Sequence, residues 1–149
     1  MKTDPSRQSN LRLWGLLGEA SHAIMLARQK ELNQYGIPVR QYEILRSIQT
    51  LGSKATVTVI ARQQQREDHV ISRRTVIMEK DGLITRTKNT PKSNILKLEL
   101  TPKGLSLIKV ARHSKIIDTV FSTLSGEERQ QMEFVLNNIL IKLKEHKNS

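Results

Sequence analysis

The chain has 149 residues, enough for one domain built on one core. Its formal charge of +11 makes a polyanion the expected partner, with nucleic acid the commonest. Its lack of cysteine excludes disulfides, thiol catalysis, thiol redox sensing and cysteine-ligated metals.

Residues 1–9 are polar, lack the apolar stretch of a signal peptide and are expected to be loose. No apolar run in the sequence approaches the roughly 18 residues that span a bilayer, so a cytoplasmic protein without a membrane partner is expected. Ser9 or Asn10 can cap a helix running to about residue 34. Its apolar residues Leu13, Leu17, Ala20, Ile24 and Ala27 recur at helical spacing, and Leu16 and Ala23 widen the stripe. A face this broad implies burial against more than one partner. Trp14 lies on this helix, where it either lines a ligand pocket or packs in a core or dimer interface.

Gly36 suits the left-handed cap of that helix, and Pro38 suits the first position of the next, over 38–50. Tyr42, Leu45, Ile48 and Leu51 mark its inner face, and Gly52 stops it. Thr56 can cap a short helix with Val57, Ile60 and Ala61 inward. Gln63, Gln64 and Gln65 end it and form a turn.

A second, arginine-bearing helix is predicted over 66–80, with Glu67 or Asp68 favouring its positive end and Gly82 as its C-cap. Ile71, Thr75 and Met78 share one face; His69, Ser72, Arg73 and Val76 lie near the opposite one. Residues 83–88 and 95–100 read as two strands of a hairpin, joined by the turn-forming residues 89–94. Thr101 and Pro102 open a helix predicted to run unbroken to about residue 123, through Leu105, Ile108, Ala111, Ile116 and Val120. Ser125 and Glu128 have capping-box spacing, and a last helix follows to about residue 146. The predicted fold is mainly α with a small β-hairpin wing, a winged helix-turn-helix that places one helix in the DNA major groove.

Three segments carry a family resemblance: Thr56-Val57-Thr58-Val59-Ile60-Ala61, Met78-Glu79-Lys80-Asp81-Gly82-Leu83-Ile84-Thr85-Arg86, and Leu100-Thr101-Pro102-Lys103-Gly104. In these, and in element order over nearly the whole chain, the sequence resembles the MarR family of bacterial transcription regulators. Arg66-Glu67-x-His69 further resembles a variant in MarR-type regulators of organohalide-respiring bacteria. The resemblance implies a single domain over 1–149, with residues 36–100 binding DNA and residues 10–35 and 101–146 forming the dimerisation helices. It also implies a homodimer on a palindromic site, usually repressing, and often released by a small ligand held between the two regions. The sequence departs from the family in the turn, where Gln64-Gln65-Arg66 stands for a Leu-Gly-Leu-like segment. In the wing, Lys92 and Asn94 occupy the places of the usual Asp and Arg.

Arg73 is the leading candidate for base contact, because a guanidinium can bond guanine in bidentate fashion; phosphate contact is the alternative. His69 and Ser72 follow on the same face, and Arg66 opens the helix. Arg74 lies nearer the inner flank and either faces DNA or pairs with Glu79 or Asp81. Thr56 and Thr58 either donate to phosphate or, for Thr56, simply cap. Arg86 either binds phosphate or braces the hairpin through a salt bridge. Lys88 and Lys92 are expected at phosphate or the minor groove. His22, His69, His113 and His146 are scattered, so no metal is expected, and no cofactor or catalytic set is called for. The competing reading is a basic architectural DNA-binding protein with little sequence preference.

Overall fold

A computed structural model describes residues 4–149, which divide into a unit ending at Ser114 and a second over Lys115–Ser149. In the first unit, α1 (Pro5–Leu32) starts earlier than a cap at Ser9 or Asn10 predicts. The Asp4 carboxylate accepts the Ser6 N–H at 3.0 Å, and Pro5 takes the first position, where a missing N–H is harmless. Residues 5–9 are therefore helical rather than loose, while 1–3 lie outside the described residues. On α1, Leu11, Leu13, Trp14, Leu16 and Leu17 are 42–74% exposed, whereas Ile24 and Ala27 of the same stripe are half-buried. Trp14 accordingly is not a core residue of this unit.

Gly36, at φ +66°, turns the chain after a 3₁₀ turn at Asn33–Tyr35. Helix α2 (Val39–Leu51) follows Pro38, which sits just outside it in extended conformation rather than inside it. Proline has no side-chain acceptor to cap a helix, and Gln29 of α1 supplies one: its Oε1 accepts the Val39 N–H at 2.8 Å while its Nε2 donates to the Ile37 carbonyl. Tyr42, Ile44, Leu45 and Ile48 bury the inner face. Gly52, at φ +56°, ends the helix.

Arg28, 7% exposed, was not singled out by its sequence context. Its guanidinium pairs with Glu31, donates to the Ala111 carbonyl and lies 5.1 Å over the Tyr42 ring. This contact bears on a second departure. The helix predicted over 101–123 is two helices, α5 (Pro102–Ala111) and α6 (Lys115–Phe121). No Pro or Gly marks the break. The Val110 and Ala111 carbonyls, which a continuous helix would bond to the following turn, accept instead from the Tyr35 hydroxyl and from Arg28.

The helix-turn-helix is α3 (Val57–Gln63) and α4 (Asp68–Lys80). Thr56 caps α3 as predicted, its hydroxyl accepting the Val59 N–H at 3.2 Å, and Val57, Ile60 and Ala61 are buried. The turn closes with two bonds, Arg66 N–H to the Ala61 carbonyl and Gln65 N–H to that of Arg62. This Schellman arrangement normally holds glycine in left-handed conformation. Here Gln65 takes it, at φ +51°, at a cost of roughly 1–2 kcal/mol. The polar turn thus keeps a glycine-turn shape without glycine.

The wing pairs β1 (Ile84–Thr87) with β2 (Lys97–Leu100) antiparallel, Ile84 opposite Leu100 and Arg86 opposite Leu98. Leu98 is buried and Leu96 and Leu100 half-buried, as the alternation predicts. β2 also bonds the segment before α3: Leu98 N–H meets the Ala55 carbonyl at 3.0 Å, and Val57 N–H meets that of Leu96 at 3.1 Å. A two-residue partner is too short to show in a hydrophobic pattern.

The second unit holds α6 and α7 (Gly126–Lys147). Arg129 closes the turn between them by donating to the Phe121 carbonyl at 2.7 Å. The predicted capping box is formed: Glu128 N–H donates to the Ser125 hydroxyl at 3.1 Å, and the Glu128 carboxylate accepts the Ser125 N–H at 3.0 Å. That backbone bond, reinforced by the Ser125 side chain, holds the Glu128 carboxyl below its ordinary pKa of 4.5. Because the folded value is the lower one, the cap stabilises fully above the ordinary carboxylate range and is lost as pH falls through the lowered value. We expect an NMR titration of the Glu128 carboxyl to show a depressed midpoint that moves back up in Ser125→Ala. A midpoint at the ordinary carboxylate value in the unaltered protein would show the box to be absent in solution.

Candidate nucleic-acid interface

Helix α4 is held on three sides. Ile71, Thr75 and Met78 are fully buried beneath it, and burial of Ile71 and Met78 stabilises by roughly 1.5–3 kcal/mol each. The buried Thr75 hydroxyl donates to the Ser72 carbonyl at 2.7 Å, so no polar group is stranded there. At its start, Asp68 accepts the Thr58 hydroxyl at 3.0 Å, fastening α4 to α3 across the turn. On its far side the wing is attached through Arg86, whose guanidinium donates to the Ser72 hydroxyl at 3.2 Å and whose backbone N–H donates to the Glu79 carboxylate at 2.7 Å.

These attachments sort the predicted residues. Arg66, His69 and Arg73 are exposed, and Arg73 enters no ion pair among the described residues. Lys80 is exposed on the same side of α4. Ser72 is half-buried and engaged by Arg86. Arg86 braces the hairpin, but through Ser72 and its own main chain, not through a carboxylate salt bridge.

Arg74 makes no pair with Glu79 or Asp81, and its Nη1 is buried without a hydrogen-bond partner. For Glu79 the helix explains this. Residues five apart point about 140° away from one another, so Arg74 and Glu79 cannot meet on one face. Thr56 accepts the Val59 N–H as the cap and keeps its own hydroxyl proton, whereas the Thr58 hydroxyl proton goes to Asp68. Lys88 and Lys92 are exposed at the wing tip, where the Ser93 N–H closes a turn onto the Thr90 carbonyl at 3.0 Å. The structure thus leaves basic side chains exposed on α4 and at the wing tip, and Ser72, Glu79 and Arg86 join the helix to β1 of the wing.

Among the described residues no helix is long and apolar enough to cross a membrane, and no group of three His, Asp or Glu could hold a metal ion. No protein-family model matches the chain, nor does any curated protein. Solved structures do. The organohalide-sensing transcriptional regulator RdhR, in its 2,4-dichlorophenol-bound form, superposes at TM-score 0.76 with 25% identity, covering 98% of this chain and 86% of its own. S. aureus MepR in its DNA-binding conformation gives 0.75 and 26%, over 88% and 98%. A mutant of E. coli MarR complexed with operator DNA gives 0.80 at 16% identity, over 93% and 99%.

The chain has the winged-helix fold of these MarR-type regulators. In MarR-type terms α4 is the recognition helix and the β1–β2 hairpin the wing. Arg86, which the sequence alone left divided between phosphate binding and bracing, ties the hairpin to α4 through Ser72 and Glu79.

Proposed function

We propose that the chain is a sequence-specific DNA-binding transcriptional regulator, a repressor that works in the cytoplasm as a homodimer on a palindromic operator. The observation that carries this is the basic, solvent-facing recognition helix, held rigid by the wing, on a chain of net charge +11. MepR and MarR of the same fold are known in DNA-binding conformation and on operator DNA. The second copy is called for by exposed apolar residues: Leu13, Trp14 and Leu17 on α1, and Phe134, Val135, Ile139 and Leu143 on α7. Apolar surface on this scale marks an interaction site. The protein acts by binding, not catalysis.

Arg73 reads bases, His69 and Arg66 assist, and Lys88 and Lys92 hold the backbone from the wing. Thr56, Thr58, Ser72, Arg74 and Arg86 shape the surface that meets DNA and reach it only at its edges. We assign release to a small amphipathic ligand, as RdhR binds 2,4-dichlorophenol. A cavity of about 540 Å³ lined by Tyr35, Ile37, Gln41, Leu83, Ser106 and Leu107 offers it a seat next to Leu83, the residue that leads into the wing.

The wing's part is testable by salt. Each phosphate contact contributes about 0.9 to the slope of log affinity against log salt. The double variant Lys88→Ala, Lys92→Ala should weaken binding on all duplexes alike and flatten that slope by about 2 per subunit. A slope identical to the parent's removes the wing from the interface.

A further inference from the structure

Two aliphatic side chains of α4 face solvent, Val76 at 47% and Ile77 at 50% exposure. Their surroundings differ. At about 100° per residue, Val76 falls on the wing side of Arg73, one turn from Ser72 and from Glu79, the two residues that Arg86 ties to the wing. Ile77 falls on the opposite side of Arg73, toward Arg74 and away from the wing. A duplex touched by α4 and the wing together lies against the side they share. Val76 is therefore an apolar group within a polar DNA-facing surface made by His69, Ser72, Arg73 and Lys80.

The major groove offers one apolar feature to match it, the C5 methyl of thymine. We infer that Val76 is a specificity-determining residue that reads a thymine in each half-site through that methyl group. This rests on the DNA-binding reading above. Valine suits the task because its β-branch fixes χ1 in a helix, so its methyl groups are presented at one place. Cytosine at the same position would bring an amino donor against a side chain that cannot accept it, and would lack the methyl group. Arg73 and Val76, one turn apart, would then read neighbouring base pairs, one by hydrogen bonds and one by packing.

The test is a selection of duplexes from a random library by the full chain, followed by titrations in which single thymines are replaced by uracil. That change removes only the methyl group. For the unaltered protein we expect one thymine per half-site whose replacement weakens binding about fourfold, and about sixteenfold when both half-sites are changed, the effect of one methyl-sized group per site. In Val76→Ala the loss on uracil replacement should vanish, and in Ile77→Ala it should persist. A selected sequence in which no thymine methyl matters overturns the inference alone, as does a methyl effect that survives in Val76→Ala. Recovery of no preferred sequence overturns the regulator reading and the inference with it.

Discussion

Gly104→Ala should destabilise the fold by about 3 kcal/mol or more, the upper end of what overpacking costs. A Cβ at this position would stand 2.2 Å from the Leu83 carbonyl oxygen, a backbone atom that cannot rotate aside. That carbonyl also accepts the Thr101 N–H at 3.1 Å, and the Thr101 hydroxyl donates to Gly82 at 2.6 Å while accepting the Gly104 N–H. The first turn of α5 is thus seated on the entry to the wing, and moving it apart would break those bonds and displace β1. Chemical denaturation of both proteins measures the effect, and DNA affinity should fall in parallel because the wing moves. Gly126→Ala is the control: nothing lies within 4 Å of its would-be Cβ, so stability should change by no more than about 0.5 kcal/mol. Equal stability of Gly104→Ala and the parent would show that α5 does not sit against Leu83 in solution.

Arg73→Ala should leave stability unchanged to within about 0.5 kcal/mol, since the side chain is exposed and unpaired. Its effect should fall on recognition. A bidentate arginine–guanine contact discriminates by about 1–3 kcal/mol, and a two-fold dimer makes it twice. Specific affinity should therefore fall by about two orders of magnitude or more, with affinity for bulk DNA falling far less. Arg73→Lys should not restore it, because an ammonium lacks the planar fork. Titration of selected and unrelated duplexes separates the two losses; equal losses on both would make Arg73 a phosphate contact.

What the sequence made legible was what repeats locally. Apolar spacing placed the inner faces of α2, α3 and α4, and cap chemistry placed Thr56 and Ser125, because each depends on residues within a turn or two. What it missed depends on residues distant in sequence. Arg28 reaches Ala111 across the fold and helps end α5 where no Pro or Gly does. Ala55 pairs with β2 over too short a stretch to leave a pattern. Gly104 belonged to a motif whose reason, the close approach to Leu83, is invisible without the fold. The sequence places Ser72 toward DNA and leaves Arg86 open between phosphate and bracing, because their contact joins residues 14 apart on different elements. The early start of α1 leaves no apolar pattern, because Asp4 and Pro5 precede a polar run.

The proposed function requires that α4 and the wing read a particular sequence. The most direct test is a competition titration at fixed salt between a duplex selected by the protein and unrelated bulk DNA. A preference of at least about 10³ is expected, the lower bound for specific regulators. Affinities that agree within tenfold on every duplex, each falling alike with salt, would contradict it and leave a basic protein that binds DNA without reading it.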